Sequence, residues 1–223
     1  MLPGIRAFFS LGGIPVLGML ALRDCNPPPT VDLAAVDLDV TITVIDTERN
    51  PSDHKVPIVV QFFSHGKFVQ LATSASVRCN GVVLAWNGLG YAERVPQVAP
   101  GGSYNCSHMR SGVTATASLV VPPRPVLLSP APGPVTRSSA LALAYAPGGG
   151  IGVRGSAGDG STGLGGGLQP DNGAYSGFNV SALHAGPGSL GLTRELTMTL
   201  LATGFKSVTV KYSTGSDISV TWL

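Results

Sequence analysis

The chain has 223 residues, a formal net charge of +2 and charged side chains at only 12% of positions, with 30 glycines and 18 prolines. That length holds one large domain or two of about 100 residues each. Three glutamates and four lysines are too few to wet the outer faces of long helices. No basic run exceeds one residue, so nothing predicts a patch for a nucleic-acid backbone.

Residues 1–24 read as a targeting segment. Arg6 follows the start, and residues 7–22 are uncharged and mostly apolar. This is the shape of a secretory signal, too short for a comfortable membrane span and interrupted by Gly12, Gly13, Pro15 and Gly18. Cys25-Asn26-Pro27 resembles the start of a mature bacterial lipoprotein, with Arg23 and Asp24 standing where that motif has small residues. The resemblance implies a lipid on Cys25 and membrane attachment through this segment. Removal of the leader and a reactive tail are the alternatives. Pro27-Pro28-Pro29 is a stiff spacer and closes a first segment of residues 1–29.

From Asp37 onward the pattern is β. Leu38, Val40, Ile42 and Val44 alternate with Asp39, Thr41 and Thr43, which describes a half-buried strand. A polar loop at residues 48–55 follows. Residues 58–63 and 68–71 flank a turn at His65-Gly66. Asn80-Gly81 is a strong hairpin signal, because a two-residue type I′ turn needs positive φ at both positions. Placing the turn there sets Cys79 opposite Val82 and Val77 opposite Leu84. Val77, Cys79, Val82, Leu84 and Trp86 then share one face. After a second turn at Ser111-Gly112, Val113, Ala115, Ala117, Leu119 and Val121 share a face, with Thr114, Thr116 and Ser118 on the other. These elements make a first sandwich over residues 30–121.

Pro122-Pro123-Arg124-Pro125 is rigid, cannot donate fully to a ladder, and marks a boundary. A second sandwich over residues 122–223 starts with a strand at Leu141, Leu143 and Tyr145. Residues 148–167 hold 11 glycines and read as a long surface loop. Strands resume at residues 174–183 and 190–201. The C-terminus reads as a hairpin, with Val208, Val210 and Tyr212 facing in, a turn at Thr214-Gly215, and Ile218, Val220 and Trp222 facing in again. The fold class is therefore all-β, two consecutive antiparallel sandwiches after an N-terminal targeting segment.

Gly102 and Tyr104-Asn105-Cys106 resemble the Tyr-x-Cys that opens one inner strand of immunoglobulin-like domains. Trp86 lies seven residues after Cys79, where those domains often hold their core tryptophan. The likeness covers about 30 residues. The cysteines stand 27 positions apart, about half of the family's spacing. The resemblance implies a bacterial immunoglobulin-like tandem sandwich with a role in binding, adhesion or spacing. By alternation Cys79 and Cys106 both point inward. In an exported protein they would pair, the other reading being two buried thiols.

Other motifs carry chemistry. Cys106-Ser107-His108-Met109 loosely resembles the Cys…His…Met ligand run of cupredoxins, with His65 as a second imidazole. That resemblance implies a copper alternative, although His108 and Met109 point to opposite strand faces. Gly150-Ile151-Gly152-Val153-Arg154-Gly155 matches a dinucleotide fingerprint, yet the run after it cannot begin a helix. Asp159 and Asp171 lack the carboxylate density of a calcium loop. Neither a G-x-S-x-G run nor a readable pair of carboxylates supports hydrolysis.

The sequence thus predicts a non-catalytic protein, secreted or in the cell envelope, that binds, adheres or spaces at the cell surface through an unknown protein or glycan ligand. No metal site and no cofactor are expected. A cupredoxin-like protein is one alternative, and a secreted hydrolase or accessory carbohydrate-binding module is another. Candidate ligand-binding positions are Tyr91, Arg94 and Gln97 in the connection at residues 87–101, with Asp159 and Asp171 in and beside the glycine-rich stretch.

Overall fold

A computed structural model describes residues 29–47, 54–146 and 149–223. Residues 1–24, which the sequence predicts as a targeting segment, Cys25 and most of the polar loop at residues 48–55 lie outside the described residues.

Ten strands precede the Pro-rich boundary: β1 (Thr30–Val31), β2 (Asp39–Thr47), β3 (Lys55–Ser64), β4 (Lys67–Leu71), β5 (Ser76–Cys79), β6 (Val82–Val83), β7 (Ala85–Trp86), β8 (Tyr91–Pro96), β9 (Ser103–Arg110) and β10 (Val113–Val120). Eight follow it: β11 (Leu127–Ser129), β12 (Gly133–Val135), β13 (Leu141–Tyr145), β14 (Gly152–Gly158), β15 (Gly163–Gln169), β16 (Ala174–Phe178), β17 (Gly186–Leu200) and β18 (Ser207–Trp222). The class is all-β, as the alternation predicts.

The expected hairpins form where their turn residues stand. His65-Gly66, Asn80-Gly81 and Ser111-Gly112 all have positive φ at both positions, the type I′ requirement. Cys79 pairs with Val82, and Arg110 with Val113. The inward positions of β3, Val56, Ile58, Val60 and Phe62, are buried, as are Leu38, Val40, Ile42 and Val44 around β2.

One 11-stranded sheet organises the molecule, with the order β1-β4-β3-β2-β18-β17-β14-β15 and with β7, β8 and β12 as side branches. A four-stranded sheet, β10-β9-β5-β6, and a three-stranded sheet, β11-β13-β16, pack on it. The first core joins residues of β2, β3, β5, β8, β9 and β10 to Val208, Val210 and Tyr212 of β18. The second joins Leu143, Tyr145, Tyr175 and Phe178 to Leu190, Leu192, Val220 and Trp222. All the β18 residues that enter either core are even-numbered. Side chains alternate along a strand, so both small sheets sit on the same face of the large one.

Three sequence expectations are corrected. The C-terminal hairpin does not form. Residues 207–222 are one unbroken strand, paired with β17 from Leu200↔Val208 to Gly186↔Trp222. On its other side β18 runs parallel to β2 from Ser207 to Gly215 and parallel to β12 from Val220 to Trp222. Thr214 and Gly215 break the apolar alternation because the strand there passes between two cores, not because the chain turns. The glycine-rich stretch at 148–167 is largely the hairpin β14–β15. The connection at 87–101 contains β8, which pairs with β3 from Lys55↔Pro96 to Val60↔Tyr91.

Cys79 and Cys106 are bonded. They face each other across neighbouring strands β5 and β9, whereas the immunoglobulin bridge links two sheets. Asn80 N–H donates to Asn105 O at 2.9 Å, so the cysteines occupy the adjacent non-hydrogen-bonded pair, where opposed side chains come closest.

Candidate functional site

The inner face of the ribbon β17–β18 is apolar on either side of a short polar stretch, Arg194, Thr214 and Ser216. Asp46 of β2, Thr214 of β18 and Arg194 of β17 lie side by side across the sheet, and all three are buried. This polar rung is the seam between the two cores, and the Pro-rich boundary crosses it.

Asp46 sits at the inward position that follows Val44, so the β alternation itself buries a carboxylate. Three segments supply its donors. Gln97 Nε2 reaches Oδ1 at 2.5 Å, Arg124 Nη2 reaches Oδ1 at 2.9 Å, and Tyr212 O–H reaches Oδ2 at 2.6 Å. A buried carboxylate is tolerated only when its lone pairs are used in this way. Burial, and then the Asp46 carboxylate, hold the Tyr212 phenol far above the usual tyrosine range.

Arg194 works from the other side. Its Nε donates to Asp171 Oδ2 at 2.7 Å, its Nη1 to Pro123 O at 3.0 Å and its Nη2 to Ala146 O at 2.6 Å. Asp171 also accepts from Gly150 N–H at 2.7 Å. Ser216 O–H donates to Pro125 O at 2.5 Å. The boundary segment 122–125 is therefore held from both flanks by charge-assisted hydrogen bonds. Beside it lies an open depression of about 450 Å³, lined by His54, Gln97, Val98, Ala99, Pro100 and Arg124.

The candidate binding positions fall into several settings. Tyr91 is buried in β8; its O–H donates to Leu71 O at 3.3 Å and accepts from Leu71 N–H at 3.0 Å. Burial pushes its phenol up. Arg94 Nη2 donates to Lys55 O at 3.0 Å. Gln97 and Asp171 belong to the seam. Asp159 closes the β14–β15 turn, with Oδ1 accepting from Ser161 N–H at 2.8 Å and Thr162 N–H at 2.6 Å. Its Oδ2 meets His184 N–H and Nδ1, each at 2.7 Å. The His184 and Thr162 amides hold its carboxyl well below the usual carboxylate range. The five do not line one surface.

The copper set does not assemble. Cys106 has no free thiolate, because its sulfur is bonded to Cys79. Met109 is exposed, His65 sits in an exposed turn, and His108 is buried between Phe62 and Phe205. The three glycines of the dinucleotide match are packing glycines. A Cβ on Gly150 would lie 2.8 Å from Arg194 Cγ, on Gly152 2.7 Å from Gln169 O, and on Gly155 3.1 Å from the Tyr175 ring.

Sequence reading missed the seam. Its signals were an acidic residue at an inward strand position, Asp46, and a polar interruption at Thr214 and Ser216 with apolar alternation in phase on both sides. Arg194 and Asp171, 23 positions apart, carried no local signal.

No protein-family model and no curated protein matches the chain. Among solved structures it is similar to the BSP domain of a biofilm-associated protein, at 16% identity and a TM-score of 0.23, covering 82% of this chain and 29% of that one. A bacterial ice-binding adhesin shows 13% identity and a TM-score of 0.24, over 88% of this chain and 66% of that one. Immunoglobulin domains 1–4 of Sidekick-1 show 10% identity and a TM-score of 0.22, over 86% and 48%. The chain thus spans under a third of the first of these chains. Likenesses of this degree assign neither a family nor a role.

Proposed function

We propose that this protein is a rigid, oxidised β module outside the cytoplasm, serving adhesion or spacing and not catalysis. The observation that carries the reading is the ribbon β17–β18. A 16-residue strand extends roughly 50 Å at about 3.3 Å per residue, and its two halves belong to different cores. Bending the molecule between the cores would break that ladder and the seam together. Register also sets the described ends apart. Thr30 pairs with Gln70 on the flank of the first core, whereas Trp222 lies at the far end of β18 in the second. An element with separated ends and a stiff middle transmits position and force.

The buried Cys79–Cys106 bond favours an oxidising compartment, in line with the targeting segment at residues 1–24. Ligands, whether protein or glycan, would meet this scaffold at its ends and edges.

The test of stiffness is a distance distribution between spin labels at exposed Val113 in β10 and exposed Leu128 in β11. A single narrow peak is expected, and a broad distribution would overturn the spacer reading. For the compartment, the full chain is produced with its own leader in a bacterial host and probed with external protease and a thiol reagent. Cleavable, thiol-blocked protein supports the reading; protected protein with free Cys79 and Cys106 overturns it.

A further inference from the structure

His108 is the one buried histidine among the described residues, 1% exposed, and neither ring nitrogen has a hydrogen-bond partner. It lies on β9 between Val77 of β5 and Ala115 of β10. Its ring meets the ring of Phe62, 5.7 Å away, and that of Phe205, 6.2 Å away. Such a site accepts only a neutral imidazole, because an imidazolium there would have no water and no acceptor.

The walls of this site differ in strength. Val77, Ala115 and Phe62 belong to strands laced into their sheets. Phe205 belongs to the connection between β17 and β18, residues 201–206. That connection is held to the edge of β10 by one bridge, in which Thr116 N–H donates to Thr203 O at 2.9 Å and Thr203 N–H to Thr116 O at 3.1 Å. Lys206 N–H donates to Leu38 O at 3.1 Å, and Lys206 Nζ meets Asp39 Oδ2 at 3.0 Å. Leu201 is fully exposed.

We propose that residues 201–206 form an acid-released flap, opened when His108 takes up a proton, so that Phe205 withdraws and the edge of β10 around Thr116 is uncovered. The charged neighbours favour this. On β9, Arg110 is ion-paired with Asp32. On β5, Arg78 is exposed and donates to Gly81 O. β10 carries no charged residue, and β3 carries only Lys55, at its start, before the His65 turn. The flap brings Lys206, which is turned to Asp39. No carboxylate bonds the His108 ring to compensate a proton. Burial, and then Arg110, hold its titration below the ordinary histidine value. The sign follows: the closed state is fully stable above pH 6.5 and loses stability as pH falls. The proposal does not rest on the functional reading above.

Hydrogen exchange of the full chain, corrected for intrinsic rates, tests it. Between pH 7.5 and pH 5.0 the opening constant at the Thr116 and Thr203 amides should rise, with a ceiling of roughly thirtyfold for an imidazole that protonates at 6.5 only when open. His108→Leu should abolish the rise. An equal rise in that variant overturns the proposal. Should the variant not fold, the wild-type ring is followed by NMR. One shared midpoint for the ring and the two amides supports the flap; amides unmoved while the ring titrates, or a ring titrating as in a free peptide, overturn it.

Discussion

Asp46 shows how one side chain can hold three segments. It is fully buried and takes hydrogen bonds from Gln97, Arg124 and Tyr212. Asp46→Asn removes the charge that Arg124 needs, and one amide cannot accept from all three donors. The expected loss is about 2–4 kcal/mol in urea unfolding. Lys206→Ala removes only the exposed pair with Asp39 and should cost under about 1 kcal/mol. If the two variants prove equal, burial is not what makes the seam matter. Tyr212 adds an alkaline limit. Its folded phenol titrates above the unfolded one, so the stability it contributes is present below pH 10 and is lost as pH rises past it. Tyr212→Phe should make that alkaline slope shallower, the remainder coming from buried phenols such as Tyr91.

At the scale of elements, the hairpin β14–β15 explains why residues 148–167 look like a loop in sequence. Glycine is a poor strand former on its own, and here the reason for it comes from another sheet. Tyr175 and Phe178 of β16 lie against the hairpin, their rings edge to face with each other at 86°, and Tyr175 O–H donates to Gly167 O at 2.7 Å. A Cβ on Gly166 would come within 2.0 Å of Tyr175 Oη, while one on Gly163 meets nothing within 4 Å. Gly166→Ala should therefore destabilise by about 1–3 kcal/mol through overpacking, and Gly163→Ala should be close to neutral. Comparable midpoints for both in a thermal melt would show that Tyr175 is not pinned. Periodicity could place β2 and β10 from sequence, since in each apolar residues alternate with Asp, Thr or Ser. It could not find β14 and β15, whose small residues answer to aromatic rings some ten to twenty positions away.

For the whole molecule, the shared ribbon predicts one cooperative unfolding transition by calorimetry, with matched calorimetric and van't Hoff enthalpies. Two transitions would mean that the two cores melt independently in spite of the ribbon β17–β18 that they share. Cys79→Ala with Cys106→Ala should lower the stability of the whole unit by about 3–4 kcal/mol in the loop-entropy account for a separation of 27 residues. What the sequence alone determined was the class and the local hairpins. Alternation at every second residue and paired positive-φ turns are written in neighbouring positions, and they act over a few residues. The course of β18 past Thr214, the same-sheet placement of the disulfide and the Asp46–Arg194 seam were decided only by tertiary structure. A polar break in an apolar strand is the same string of letters whether the chain turns back to water or runs on between two cores, and only the groups waiting on the far side, Arg124 and Pro125 among them, distinguish the two.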